Sequence, residues 1–221
     1  MSDIFQEVDE AVAQDRLSNI WGRFKYVIFG AIAALILGVG GWEFYSWQKD
    51  KAQDVAAEAF YEAQIALDSN DYVAAEALFR EIHESDSPFA EMAGHYLALT
   101  QFVGMGDRNQ AFEVLKSTGR DDDVFSQAAL IKAAYLKADD LEMAALEELL
   151  APIRDNLDSP YLYLADEILA AKAFQTGDLD EARRRYNRIA GALEASDVTK
   201  NRATQAVAVL DAMKEIQGTA Q

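Results

Sequence analysis

The chain contains no cysteine. That rules out a disulfide framework, thiolate metal sites and a cysteine nucleophile, and it is compatible with an oxidising compartment. Proline is nearly absent, with only Pro88, Pro152 and Pro160 in 221 residues, and no stretch alternates as a strand does. The two histidines, His83 and His95, show no H-x-x-x-H spacing and have no cysteine to complete a zinc set, so both read as structural side chains. Positive charge is scarce as well: 20 Lys and Arg stand against 38 Asp and Glu, a net charge of −18. Such a field repels phosphate backbones and anionic headgroups, which argues against nucleic acid and against peripheral lipid binding.

What the chain does have is one long apolar run, Tyr26 to Trp47, interrupted by charge only at Glu43. As a helix its 22 positions span roughly 33 Å, enough for a hydrocarbon core of about 30 Å. Arg23 and Lys25 precede the run, and Trp42, Tyr45, Trp47 and Lys49 crowd its far end, where amphipathic rings and snorkelling amines are stable. A buried core helix or a cleaved signal peptide are the competing readings. The run is longer and more uniformly apolar than the first requires, and an acidic tail ahead of it and bulky residues after it fit poorly with the second. The expected layout is therefore a cytoplasmic tail at 1–25, a transmembrane helix at 26–47 and an extramembrane domain at 48–221. Arg16, Arg23 and Lys25 before the span outnumber Lys49 and Lys51 after it by one, which favours the tail inside and leaves a cytoplasm-facing domain open. Gly30, Ala34 and Gly38 lie four residues apart on the span, a small-residue stripe along which another membrane helix can pack. The tail places Ile4, Phe5, Val8, Val12, Leu17, Ile20 and Trp21 at broadly helical spacing, as either an amphipathic helix or a lead-in to the span.

Beyond the span the signal is helical throughout, and it repeats. Asp86-Ser87-Pro88-Phe89, Asp122-Asp123-Val124-Phe125 and Asp158-Ser159-Pro160-Tyr161 begin 36 residues apart, with Ala93, Ala129, Ala165 and Ala98, Ala134, Ala170 in step. Asp or Ser caps a helix start, proline at the first helical position loses no needed bond, and the alanines admit a close neighbour. A second marker, Asn70-Asp71, Gly106-Asp107, Asp139-Asp140 and Gly177-Asp178, pairs a residue tolerant of left-handed backbone with a capping aspartate, followed by Ala75, Ala111, Ala144 and Ala182. The predicted helix pairs are 50–69 with 72–84, 88–105 with 108–117, 123–138 with 141–153 and 160–176 with 179–194. A closing helix from Asp197 to Ile216 places Ala203, Ala206, Val207, Leu210, Met213 and Ile216 on one stripe.

No catalytic constellation emerges. Asp121-Asp122-Asp123 lacks the alternating ligands and central glycine of a calcium loop and reads as a helix cap. Gly38, Gly40 and Gly41 have no following Lys-Ser/Thr to make a phosphate loop. Arg183-Arg184-Arg185 points to three helix faces and reads as a solvated, partly paired surface. The acidic surface is expected to favour basic or chaperone-like partners.

These units resemble the tetratricopeptide repeat. Ala63 and Leu99 match its small residue before the turn, Gly106 and Gly177 its turn glycine, and Ala75, Ala111, Ala144 and Ala182 its small residue in the second helix; its tryptophan is absent from every unit. The tail beginning MSDIFQEVDE, the single span and the short repeat domain together resemble bacterial inner-membrane proteins of the ancillary SecYEG translocon subunit type. The resemblance implies an all-α solenoid in the periplasm that binds translocon subunits and a membrane-anchored, prolyl isomerase-like chaperone. With the span, the 36-residue register and no catalytic constellation, the expected protein is a non-enzymatic adaptor with no cofactor, no metal and no small-molecule substrate. A structural scaffold in another envelope assembly machine, and a cytoplasm-facing regulatory adaptor, share the same sequence features.

Overall fold

The computed structural model describes residues 35, 37–39, 41–47, 51 and 53–219, with side chains as far as 214. The chain divides into two compact units, Met1–Val55 and Ala56–Gln221. In the first, the described residues 35, 37–39 and 41–47 are helical. Half of the predicted span, residues 26–34, 36 and 40, lies outside the described residues, as do the tail and two members of the small-residue stripe, Gly30 and Ala34. Gly38 is helical, with no atom within 4 Å of a Cβ built on it. Among the described residues no helix is long and apolar enough to cross a membrane.

The second unit is helix and turn throughout its described residues. Helix α1 (56–68) pairs with α2 (Tyr72–His83), α3 (Ala90–Leu99) with α4 (Arg108–Thr118), α5 (Val124–Lys137) with α6 (Met143–Asp155), and α7 (Leu162–Gln175) with α8 (Leu179–Ala190); α9 (Asp197–Thr219) closes the stack. Each helix packs on the next in sequence, and the first helices also touch across units, α3 on α5, α5 on α7 and α7 on α9. First helices therefore share one face of the solenoid, as in other stacked-hairpin repeats. Alanine makes that approach possible: Ala63, Ala98, Ala134 and Ala170 are all buried where neighbouring first helices meet their partners.

The turns inside three of the pairs follow from two residues each. Asn70, Gly106 and Gly177 adopt φ of 59°, 73° and 83°, which closes the preceding helix in the left-handed manner. The next residue, Asp71, Asp107 or Asp178, accepts a hydrogen bond from the amide of Ala74, Gln110 or Glu181 and so caps the following helix. The third pair departs from the expected pattern. Asp139 and Asp140 have no left-handed residue beside them, Asp140 turns to Lys137 at 3.1 Å, and α6 starts at Met143 instead of 141. Ala144 is consequently exposed, and Leu146 takes the buried position that Ala75, Ala111 and Ala182 hold in their units.

A second departure lies in α3. Ala63 precedes its turn residue by seven positions, as Ala170 does, whereas Ala98 precedes Gly106 by eight. The extra residue is absorbed by a π-turn, Thr100–Gly104, in which the Met105 amide bonds back to Thr100. The amides of Asp71 and Asp178 close on carbonyls five residues back, Ala66 and Ala173, while that of Asp107 reaches six back to Gln101. Leu99, matched above to the small residue before the turn, is for this reason 46 % exposed, whereas Ala63 is buried. The helix starts at Pro88 and Pro160 also differ: Ser87 and Ser159 accept the amides of Phe89 and Tyr161 at 3.1 Å, and the helices begin at Ala90 and Leu162, two residues later than expected. Asp123 caps α5 as expected, accepting from the Phe125 and Ser126 amides. The predicted stripe of α9 is inward-facing at Ala203, Ala206, Val207, Leu210 and Met213.

Candidate functional site

A cavity of about 750 Å³ lies on the face of the first helices, between α3, the π-turn, α4 and α5. Its apolar wall comes from Tyr96, Leu99, Phe102, Leu115, Tyr135 and Leu136. The π-turn is what brings Phe102 into this wall, since the extra residue rotates the end of α3 away from regular α-helical phase. Leu99, Phe102 and Tyr135 remain substantially exposed, so the cavity opens as a groove.

Three nitrogen-bearing side chains complete the lining: His95, Arg108 and Lys132. The His95 Nε2 lies 3.0 Å from the Phe125 carbonyl, and its Nδ1 lies 3.1 Å from the Lys132 ammonium. A carbonyl only accepts and an ammonium only donates, so the ring is neutral, with Nε2–H donating to Phe125 and Nδ1 accepting from Lys132. Burial, and then the Lys132 charge, hold the His95 ring below the usual imidazole range, and burial also lowers the Lys132 ammonium. His83 has a different task. Its Nδ1 lies 3.0 Å from the Ala90 carbonyl, and its ring packs over Gly94, where a Cβ would meet it at 2.9 Å. His83 thus joins α2 to α3, and His95 joins the first helices α3 and α5.

Two polar clusters lie outside the groove. The first corrects the reading of the arginine run as a solvated surface. Arg184 is exposed and pairs with Glu181, and Arg183 pairs with Asp211 at 2.7 Å. Arg185, however, is buried, held at 2.5 Å by Glu147 of α6 and at 2.6 Å by Glu181. Beside it the buried Asp166 of α7 lies 3.5–3.7 Å from the guanidinium nitrogens of Arg154, Arg185 and Arg188. The cluster joins α6, α7 and α8.

The second cluster brings the carboxylates of Glu91, Asp121 and Asp123 within 4.8 Å of one another. Both Asp123 oxygens are engaged by its own helix, Oδ1 by two amides and Oδ2 by the Ser126 hydroxyl, which is the capping role read from the sequence. Burial and then the charges of Asp123 and Asp121 push the Glu91 carboxyl above its ordinary value of 4.5. The folded chain therefore holds the proton better than the unfolded one just above pH 4.5, and stability falls as pH rises through that window. Glu91→Gln is expected to raise the thermal midpoint at about pH 7 and to leave it unchanged at about pH 4. A gain of equal size at both values would mean that charge is not the cause.

Of the groove residues, the sequence marks only His95, Ala98 and Leu99, each in a structural role and none as part of a site. His95, Arg108 and Lys132 come from three helices in two units, and Phe102 faces inward only because of the inserted residue. A phase count across the units would have exposed the insertion; nothing local marks the charges. Comparison with known proteins gives no match among curated proteins or solved structures. The family model for a tetratricopeptide repeat-like domain matches residues 18–215. With that span of the sequence matched and its hairpins stacked through their first helices, the chain belongs to the tetratricopeptide repeat-like domain family.

Proposed function

We propose that this protein is a non-enzymatic adaptor, held in a bacterial inner membrane by one N-terminal span. Its repeat domain faces the periplasm and binds protein partners, translocon subunits and a membrane-anchored chaperone among them. The observation that carries the adaptor reading is the groove between α3 and α5. Stacked hairpins serve as extended protein-binding surfaces, and a volume of about 750 Å³ accommodates side chains of a docked segment.

The anchor rests on the sequence run and on the side chains described within it. Leu35, Leu37, Val39, Trp42, Phe44 and Tyr45 are each more than half exposed, an apolar surface that water disfavours and lipid accepts. At the end of the run the Lys51 ammonium sits 4.5 Å from the Trp47 ring centroid, a combination suited to a membrane interface.

The test is photocrosslinking in intact cells from a reactive residue placed at position 99, 102 or 135. Adducts to channel subunits and a periplasmic chaperone are expected. Adducts confined to cytoplasmic proteins would overturn the topology, and adducts to another envelope assembly alone would keep the adaptor but move it to that machine.

A further inference from the structure

We propose that the groove between α3 and α5 receives an acidic, apolar segment of a partner protein. An apolar side chain of Leu or Phe size enters among Leu99, Phe102 and Tyr135, and a neighbouring carboxylate pairs with Lys132 and Arg108. The inference rests on the reading of this groove as the partner site, and it reverses the charge preference expected from composition.

The groove differs in sign from its surroundings. From residue 48 onward the chain carries 32 acidic against 17 basic residues, yet the ionisable side chains lining the groove are His95, Arg108 and Lys132, with no carboxylate among them. Lys132 has no ion-pair partner among the described residues; its ammonium rests on the neutral Nδ1 of His95. Arg108 reaches the nearest carboxylate, Asp140, only at 4.0 Å. Lys132 thus faces an open apolar cleft with no countercharge among the described residues, and Arg108 faces it with one distant carboxylate at 4.0 Å.

Distance decides between the local and the global field. At physiological ionic strength, charges further apart than about 8 Å are largely screened. A carboxylate in the groove would touch Lys132 directly, as Glu147 and Glu181 touch Arg185, whereas acidic residues elsewhere on the domain act on it across solvent. Contact pairing sets which segment is held, and the net charge governs mainly how fast it arrives. The apolar wall adds the rest: Leu99, Phe102 and Tyr135 lose water only when an apolar side chain covers them.

Fluorescence anisotropy tests this with the full chain in phosphatidylcholine nanodiscs and two labelled hexapeptides, Asp-Glu-Phe-Leu-Glu-Asp and Lys-Arg-Phe-Leu-Arg-Lys. The acidic peptide is expected to bind. Lys132→Gln should weaken it about tenfold, the loss of one charge-assisted contact, and Lys132→Glu should weaken it further. Phe102→Ala should weaken it as well. Both positions are exposed enough that neither change endangers the fold. Preferential binding of the basic peptide that Phe102→Ala weakens would overturn the charge assignment and leave the groove as the partner site. Binding of neither peptide in a Phe102-dependent way would overturn both.

Discussion

Arg185→Leu is expected to lower the free energy of unfolding by about 3 kcal/mol, read from urea denaturation of the purified chain. The side chain is 5 % exposed and lies between Glu147 and Glu181, with Asp166 at 3.7 Å. Removing it takes from Glu147 its ion-pair partner, from Glu181 one of two, and from the buried Asp166 one of three nearby guanidinium groups. A buried pair adds little when intact, because desolvation offsets attraction, yet breaking it from one side is costly. The internal comparison is its neighbour. Arg184 also pairs with Glu181, but its side chain is 65 % exposed, and Arg184→Leu should change stability by less than about 1 kcal/mol. Equal effects at the two positions would show that the cluster joining α6, α7 and α8 contributes nothing beyond surface pairing.

A loss of about 3–5 kcal/mol is expected from Phe79→Ala, the range for deleting a fully buried aromatic ring. Phe79 is completely buried, with its ring 5.6 Å from that of Phe60 and 5.3 Å from that of Tyr96. Phe60 in turn stacks on Phe89 at 5.5 Å, so one ring from each of α1, α2 and α3, and one just before α3, form a single knot. Because a solenoid's units contact only their neighbours, the damage should be local. Amide hydrogen exchange should show protection lost across α1, α2 and α3, while α7, α8 and α9 keep theirs. Uniform loss along the chain would mean that the stack unfolds as one unit.

The helix pairs were legible because each turn is written in two adjacent residues, one that accepts positive φ and one that caps. Where only half of that signal was present the reading slipped. Asp139-Asp140 offered the aspartate without the left-handed residue, so α6 was placed two residues early and Ala144, matched to the small residue of the second helix, is exposed. Counting 36 residues back from Leu179, the start of α8, leads directly to Met143, which shows that repeat phase outweighs local composition here. Leu99 was misplaced for the complementary reason: the motif was aligned by counting, and an inserted residue lay between the landmark and the position. The fate of Arg185 could not be read from its own helix, whose three successive arginines share one composition; only the proximity of Glu147 on α6 and Asp166 on α7 distinguishes it. The charge of the groove was hidden for the same reason, as its three nitrogen-bearing side chains are far apart in the chain.

The π-turn at Thr100–Gly104 has a consequence for how such arrays diversify. A stacked protein resembles a rack of teeth: adding a residue to one tooth would ordinarily throw every later tooth out of mesh. Here the added length is taken up within one helix, and Ala134 and Ala170 downstream still mesh at 36-residue intervals with Ala98. Insertion can therefore change which side chains one unit presents while leaving its neighbours' packing untouched. Single-residue length changes near the end of a first helix give the lineage a way to re-cut one binding face that point substitution alone does not provide.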